Sequence, residues 1–252
     1  MTVALPSTAA ATSPAITGTN IVATVGTQFS GLIATSNLAP GDIPVDWGDG
    51  TTSGGAIAPD GSITGTHTYT QEGSFDITLT SGSVTGHSTA IVLSTSQGGA
   101  LTGSNVVTVP SGGSGTASVL PPGAGVTATL QQPSGPATLF VAAYGHNPES
   151  VPLVAGGFYD VRVVGGGSSA TLKVVFHYTG ITGTPQLLFF NTATGSYVAV
   201  QSPSIAVDPT AQTITVVLNA TTVPSITQLT QTVFAAAAPA ATPTVAPPRF
   251  TG

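Results

Sequence analysis

The sequence contains no cysteine at any of its 252 positions. Without thiols the chain cannot form disulfide bonds, carry out thiolate chemistry or bind a metal through sulfur. Cross-linked small folds and cysteine-based active sites are therefore excluded. The sequence is compatible with both an oxidising and a reducing compartment.

Charged residues are also scarce, at 5% of the chain. The three cations are Arg162, Lys173 and Arg249, against nine acidic residues, and the net charge is -6. Because binding to nucleic acid depends on clustered Lys and Arg that neutralise phosphates, we predict no nucleic-acid partner. Hydrophobic residues make up 40% of the chain, which indicates a packed protein rather than a disordered one.

Long hydrophobic runs are missing as well. No segment approaches the roughly 20 apolar residues of a membrane-spanning helix, and Pro239 interrupts the stretch VFAAAAPAA, so we predict no membrane span. The N-terminal stretch MTVALPSTAAATSPAIT contains no Lys or Arg and does not match a secretory signal. We expect either a piece of a larger exported protein with an added Met1, or a chain assembled without such export, as phage virion proteins are.

Catalytic motifs are not found either. The sequence has no G-x-S-x-G motif, P-loop or complete dinucleotide-binding fingerprint. The run Gly165-Gly166-Gly167 is interpreted as a hairpin turn rather than a phosphate-binding loop, because no helix follows it. We therefore expect no enzyme activity. The histidines do not have zinc-ligand spacing; they are His67, His87, His146 and His177.

The pattern that is present has a period of two residues. Apolar side chains alternate with polar or small ones, as half-buried strands require. Turn clusters such as PGD at 40–42 and GDG at 48–50 separate these runs and indicate an antiparallel sandwich. The clearest alternating triplets are Ile21, Ala23, Val25; Ile43, Val45, Trp47; and Phe75, Ile77, Leu79.

The composition also predicts how the chain is divided. A glycine- and serine-rich stretch at 97–104 offers little to bury and is interpreted as a linker. It separates a first β-sandwich at 19–96 from a second at 105–236. We expect an extended N-terminal segment at 1–18 and a tail rich in proline and alanine at 237–252.

The second domain has its own strand pattern and no convincing helical period. Several of its predicted strands are apolar on both faces, which is typical of central strands or of a face covered by another module or subunit. The predicted strands cover 126–130, 138–144, 159–164, 171–178, 186–191, 197–201 and 213–218.

Part of the first domain resembles the polycystic-kidney-disease (PKD) repeat of bacterial surface proteins. The similarity rests on VDWGDGTTS at 45–53, GTHTY at 65–69 and EGSFDITL at 72–79, with VGTQFSG at 25–31 upstream. It covers roughly a third of the chain. The stretch LLFFNTATGSYVAV at 187–200 is similar, more loosely, to β-sandwich segments found beside such repeats. The resemblance implies an all-β fold of two consecutive antiparallel, Ig-like β-sandwich domains.

The PKD resemblance also implies roles for individual residues. Trp47 is expected to fill the core, and Gly48 and Gly50 to relieve the backbone where it reverses. His67 and Tyr69 share strand parity, so their rings are expected on one face beside this turn. Asp49 is expected to accept local amide hydrogen bonds, and Gly73 to form the next turn.

Three acidic residues in this region form a candidate calcium site. Asp42, Asp46 and Asp49 are the densest group of acids in the chain, and Ca²⁺ prefers such oxygen ligands. The alternative is that Asp49 caps a turn while Asp46 faces water between Val45 and Trp47. Apart from this calcium ion, no cofactor is predicted.

Two further features bear on binding. Arg162 and Lys173 are placed on the strands flanking the glycine turn, with Asp160 at the same strand parity as Arg162. They could face one another across the sheet and contact an acidic partner, or simply form a solvated face. Three aromatic residues could stack on sugars or fill the core; they are Tyr144, Phe158 and Tyr197.

The expected function is a non-catalytic extracellular or cell-surface module. The chain would act as a spacer or as a self-assembling subunit of a filament, sheath or surface layer, with copies of itself or neighbouring modules as partners. One alternative is an accessory module of an adhesin or secreted hydrolase that binds polysaccharide or protein. Another is a virion decoration or tail protein of a phage.

Overall fold

The computed structural model describes residues 12–120 and 125–238. The chain divides into two compact units between Thr95 and Ser96. The described elements are almost all β-strands, most of them paired antiparallel. The predicted all-β fold is therefore confirmed.

The first unit is built on one eight-stranded sheet in the order β1-β3-β6-β5-β4-β7-β8-β2. Neighbouring strands in this sheet are antiparallel, except that β2 pairs parallel to β8. The strands are β1 Ile16–Gly18, β2 Ile21–Thr24, β3 Phe29–Ser36, β4 Gly41–Asp46, β5 Thr52–Ile57, β6 Ser62–His67, β7 Gly73–Ser81 and β8 Val84–Leu93.

The sheet folds over itself, so that β1 packs against β8. Two glycines make this approach possible: a Cβ on Gly18 would overlap the backbone of His87, and a Cβ on Gly86 would overlap Ile16. Fully buried side chains such as Ile43, Ile77 and Leu79 alternate with exposed ones along the strands. This is the alternation that the sequence predicts.

The second unit contains a short helix, α1 Thr95–Ala100 at the unit boundary, and two antiparallel sheets. The five-stranded sheet has the order β10-β11-β14-β18-β17, and the six-stranded sheet has the order β16-β15-β19-β13-β12-β9. The strands are β9 Leu101–Val109, β10 Ser114–Val119, β11 Gly125–Gln131, β12 Ala137–Tyr144, β13 Ala155–Gly165, β14 Thr171–His177, β15 Gln186–Asn191, β16 Ser196–Ala199, β17 Ile205–Asp208, β18 Thr213–Leu218 and β19 Val233–Ala237.

The core of this unit lies between the two sheets. Tyr159, Phe176 and Phe234 meet there with ring centroids 5.1 and 5.2 Å apart, surrounded by aliphatic side chains from both sheets. Every residue of β12 is buried, so this strand is covered on both faces. The apolar character of 138–144 is therefore explained by a central strand.

The predicted boundaries differ from the structure at three places. Residues 97–104 are not a linker, because they form the end of α1 and the start of β9, with Gln97 and Ala100 buried. Residues 16–18 belong to β1, and Ala237 ends β19. The rest of the predicted extended segment up to residue 11, and the tail from residue 239, lie outside the described residues.

The glycine run at 165–167 is not a hairpin turn. It joins β13 of the six-stranded sheet to β14 of the five-stranded sheet, so the chain crosses from one sheet to the other here. The φ values of the run are positive throughout, at 78° for Gly165, 79° for Gly166 and 67° for Gly167. Three such values in a row are unfavourable for residues that carry a Cβ. Periodicity identifies both strands but does not show that they lie in different sheets.

Candidate functional site

The turn between β4 and β5 holds the predicted GDG motif in a tight conformation. Gly48 and Gly50 have φ values of 77° and 88°, which favour glycine. The Asp49 Oδ1 atom accepts hydrogen bonds from the Thr51 amide at 3.1 Å and the Thr51 hydroxyl at 2.6 Å. Asp46 faces solvent and accepts a hydrogen bond from the Gly48 amide at 2.9 Å. Both carboxylates therefore act as turn-forming groups.

Trp47, directly before this turn, is fully buried. Its Nε1 atom donates a hydrogen bond to the Ser53 hydroxyl at 2.8 Å, which satisfies the polar end of the indole. Phe29 meets the indole edge-on, with ring centroids 6.5 Å apart. The expected core position of Trp47 is found.

His67 connects the turn to this core. Its ring lies nearly parallel to the indole of Trp47, with centroids 4.8 Å apart and an interplanar angle of 14°. Its Nε2 atom lies 2.8 Å from Asp49 Oδ2, and both side chains are largely buried. The imidazole thus joins an aromatic contact to a polar one.

Tyr69 completes the cluster from the segment after β6. Its ring meets His67 edge-on at 4.5 Å, and its hydroxyl donates to the Trp47 carbonyl at 3.3 Å. The Phe75 ring stacks on the Tyr69 ring with centroids 5.0 Å apart. Gly73, the first residue of β7, lies beside Phe75 and has a φ of 148°. The motif residues that the sequence predicts to lie on one face are therefore in contact. We call Trp47, Asp49, His67 and Tyr69 the tryptophan cluster.

Electrostatics in the tryptophan cluster favour a charged Asp49. Burial opposes ionisation of the carboxyl, but the hydrogen bonds from Thr51 and His67 together outweigh it, so the pKa of Asp49 is lowered. Burial and the nearby Asp49 charge raise the pKa of the Tyr69 hydroxyl far above its usual value. The phenol is therefore a hydrogen-bond donor and not a base at neutral pH.

The structure does not assemble the candidate calcium ligands. Asp49 is held by Thr51 and His67, while Asp42 and Asp46 lie exposed on β4. Among residues 12–120 and 125–238, no three His, Asp or Glu side chains form a group that could hold a metal ion. Closeness in sequence on a strand and a turn does not by itself make oxygens converge on one point, and the calcium site stays a prediction.

A second polar cluster lies in the second unit, on the outer face of the six-stranded sheet. Asp160 and Arg162 on β13 are both fully buried. The Arg162 Nε and Nη2 atoms contact Asp160 Oδ2 at 2.8 and 2.7 Å, and Nη2 also donates to Gln97 of α1 at 3.0 Å. The ion pair therefore fastens α1 to the sheet.

Aromatic residues surround this ion pair. The Tyr144 hydroxyl donates to Asp160 Oδ2 at 3.2 Å, and the Arg162 guanidinium lies 5.5 Å from the centre of the Phe140 ring. Burial, followed by the charge of Asp160, raises the pKa of Tyr144 far above its usual range. Each named group in the cluster thus bonds to or packs against another member.

One sequence prediction about this region was wrong, and burial, the alternative to sugar stacking, is confirmed for two of the three aromatic residues. Arg162 does not face Lys173 or solvent, because β13 and β14 belong to different sheets and Arg162 is fully buried while Lys173 is exposed. Tyr144 and Phe158 are buried on the outer face of the sheet, so they do not present their rings to a sugar. Tyr197 is half-buried, packs on Phe190 and donates its hydroxyl to Asn147 at 2.8 Å.

Sequence reasoning placed Asp160 and Arg162 at the same strand parity but missed that the pair is buried and that Gln97 joins it. The one available signal is that two opposite charges with the same strand parity stand inside the apolar run FYDVRVV at 158–164. In a chain with so few charges, a pair at this spacing in such a run indicates mutual neutralisation. Nothing in the local sequence indicates that α1 supplies the third member.

Comparisons with known proteins give little beyond this geometry. No protein-family model and no curated protein matches the chain. Among solved structures, the chain is similar to a Ca²⁺-stabilised adhesin that helps an Antarctic bacterium reach out and bind ice, at 14% identity and a TM-score of 0.26. The match covers 82% of this chain and 66% of that one, slightly less than two thirds of its length. A TM-score this low does not establish a common fold, and the PKD resemblance stays a prediction.

Within the parts of the chain that the structure describes, no helix is long and apolar enough to cross a membrane.

Proposed function

We propose that this chain is a non-catalytic structural module of a surface or matrix assembly. It would serve as a spacer or building block outside the cytoplasm, with the first unit acting as a PKD-like sandwich. The observation that carries the proposal is that each unit has a buried polar cluster that holds parts of its fold together. Asp49 and His67 close a turn onto Trp47, and Asp160 and Arg162 fasten α1 to a sheet.

The character of the surface supports the same proposal. A chain with 5% charged residues relies on hydroxyl groups and small side chains for its contact with water. Such a surface loses little solvation of charge when it packs against another protein, which suits a module that is repeated or stacked.

A carbohydrate-binding role is less well supported. Two of the three aromatic residues that would stack on a sugar, Tyr144 and Phe158, are buried. Tyr197 is half-buried, and its hydroxyl already bonds to Asn147. The half-buried Phe190–Tyr197 pair is the specific feature that would carry this alternative.

The test of the proposed role is the location of the protein. Antibodies raised against the purified chain are used for immunogold labelling of intact source cells, permeabilised cells and any virions they release. Gold on the outside of intact cells is the expected result. Gold that is seen only after permeabilisation would refute a surface role, and gold on virions would favour the phage alternative.

A further inference from the structure

The two outer faces of the second unit differ in how far they are covered. On the six-stranded sheet, outward-facing residues such as Phe140, Asp160 and Arg162 are fully buried. On the five-stranded sheet, the outward-facing residues of the described strands are half-buried or exposed apart from the buried Gly125, as Thr127, Thr129 and Lys173 show. No described segment covers the second face as the first is covered, and we call this second face the hydroxyl face.

The hydroxyl face is regular and has few charges. Aligned across the strands are Thr116, Thr129, Lys173 and Val217 in one row. Neighbouring threonine and serine hydroxyls bond to each other, with Thr116 3.0 Å from Thr129 and Ser118 2.8 Å from Thr127. The next row holds Ser118, Thr127, Val175, Thr215 and Ala206.

The titratable residues on this face are one cation, one anion and one histidine. Lys173 lies on β14 and Asp208 on β17, and His177 lies next to Thr213 in the row that ends at Asp208. Asp208 Oδ1 accepts hydrogen bonds from the Thr210 and Ala211 amides, both at 2.9 Å, which hold the carboxylate in place.

These positions make the hydroxyl face complementary to itself. Lys173 and Asp208 are two strands and four residues apart, or about 16 Å at ordinary strand geometry. The midpoint of the line between them falls at Thr215 on β18, the strand between β14 and β17. A two-fold axis through this point, lying in the plane of the interface and perpendicular to the line from Lys173 to Asp208, would bring Lys173 of each copy against Asp208 of the other.

We propose that the hydroxyl face pairs with the same face of a second copy of this chain, about a two-fold axis at Thr215. This inference rests on the proposed structural function and names its contact surface. Five strands of about six residues give a footprint of about 480 Å² per copy. A stable interface needs about 800 Å² per partner, so a single contact is of the transient class and gains its strength by repetition.

The experiment measures self-association of the full chain by sedimentation equilibrium up to about 1 mM, the range of transient pairing. Wild type is expected to dimerise. Thr215→Lys places two ammonium groups together at the axis and is expected to raise the dissociation constant of the dimer about tenfold. The matched control is Thr64→Lys, the same change on an exposed strand position of the first unit, and it is expected to associate like wild type.

A charge reversal tests the orientation of the pair. Lys173→Glu is expected to weaken dimerisation by setting Glu against Asp208, and Lys173→Glu with Asp208→Lys is expected to restore it. Circular dichroism checks that each variant is folded. Dimerisation without the predicted sensitivity at Thr215 and Lys173 would place the contact elsewhere and overturn the proposal.

Two other outcomes also overturn it. The first is a wild type that stays monomeric at the highest concentration. Alternatively, a monomeric wild type that sediments with insoluble chitin or cellulose, and loses this in Thr215→Lys, would make polysaccharide the occupant of the face. Surface gold labelling combined with a strictly monomeric protein would refute the pairing and leave the proposed function standing. Labelling confined to the cell interior would refute the function itself.

Discussion

The imidazole of His67 lies flat on the indole of Trp47, and its Nε2 atom contacts the carboxylate of Asp49 at 2.8 Å. One side chain thus bridges an apolar core and a polar turn. A histidine can do this because its ring packs like an aromatic residue while its nitrogens bond to polar groups. The bridge suggests that the turn is held by the core rather than by its own hydrogen bonds alone.

We expect His67→Ala to destabilise the first unit by about 1–3 kcal/mol, because it removes the ring stack and leaves Asp49 without one of its partners. Trp47 is the single tryptophan of the chain, so its fluorescence during urea unfolding reports on this unit alone. His87→Ala is the matched control: the His87–Asp76 pair is mostly exposed, and its loss is expected to change stability by about 0.5 kcal/mol or less. Equal effects of the two changes would contradict a supporting role for the stack.

The lowered pKa of Asp49 predicts a dependence of stability on pH. Since the folded-state pKa lies below the ordinary value of 3.8, the ionised carboxylate contributes stability that is fully present above pH 3.8 and is lost as the pH falls through the folded-state pKa. Asp49→Asn is therefore expected to reduce the urea midpoint at pH 6 and to matter less at pH 3. Asp42→Asn serves as the control, and a pH-independent effect of Asp49→Asn would show that the charge is not what stabilises the turn.

The buried ion pair predicts a non-additive response. Arg162→Met alone leaves Asp160 buried without its cation and is expected to cost about 3–5 kcal/mol. Within the described residues, Asp160 Oδ1 has no hydrogen-bond partner, so the pair is incompletely satisfied. Asp160→Leu combined with Arg162→Met is therefore expected to be near neutral. Thermal unfolding followed by circular dichroism compares the variants, and additive losses would contradict this account.

Removal of calcium is expected to leave the protein unchanged. Asp49 is bonded to Thr51 and His67, and Asp42 and Asp46 are exposed on β4. If a calcium site existed, free Ca²⁺ at 100 times its Kd would add about 2.7 kcal/mol to the free energy of unfolding. Thermal midpoints in excess Ca²⁺ and in EDTA are therefore expected to agree. A higher midpoint in Ca²⁺ that Asp46→Asn abolishes would restore the candidate site.

The first unit could be predicted in more detail than the second. Its strands alternate cleanly, and the residues of the tryptophan cluster stand in a short motif in which turn chemistry and strand parity fix their placement. The contact between His67 and Tyr69 follows from parity alone. The stacking of His67 on Trp47 does not, because it joins residues 20 positions apart, one directly after β4 and the other at the end of β6.

In the second unit the sequence predicted most strands but not which strand joins which sheet. The failure at the glycine run shows the reason. Periodicity reports which side chains of a strand are buried, and it is the same whether the next strand is a sheet neighbour or lies across the core. For this reason Arg162 was expected near Lys173, whereas its partners are Asp160 and Gln97.

The sequence by itself determined the all-β class, the exclusion of disulfide and thiolate chemistry, and the local geometry of the GDG turn, because these depend on residue type and on neighbours along the chain. The tertiary structure alone decided that α1 is fastened by a buried ion pair, that the calcium candidates do not converge, and that described segments cover one outer face and not the other. Burial and convergence are properties of residues distant in sequence, and they exist only once the sheets have packed.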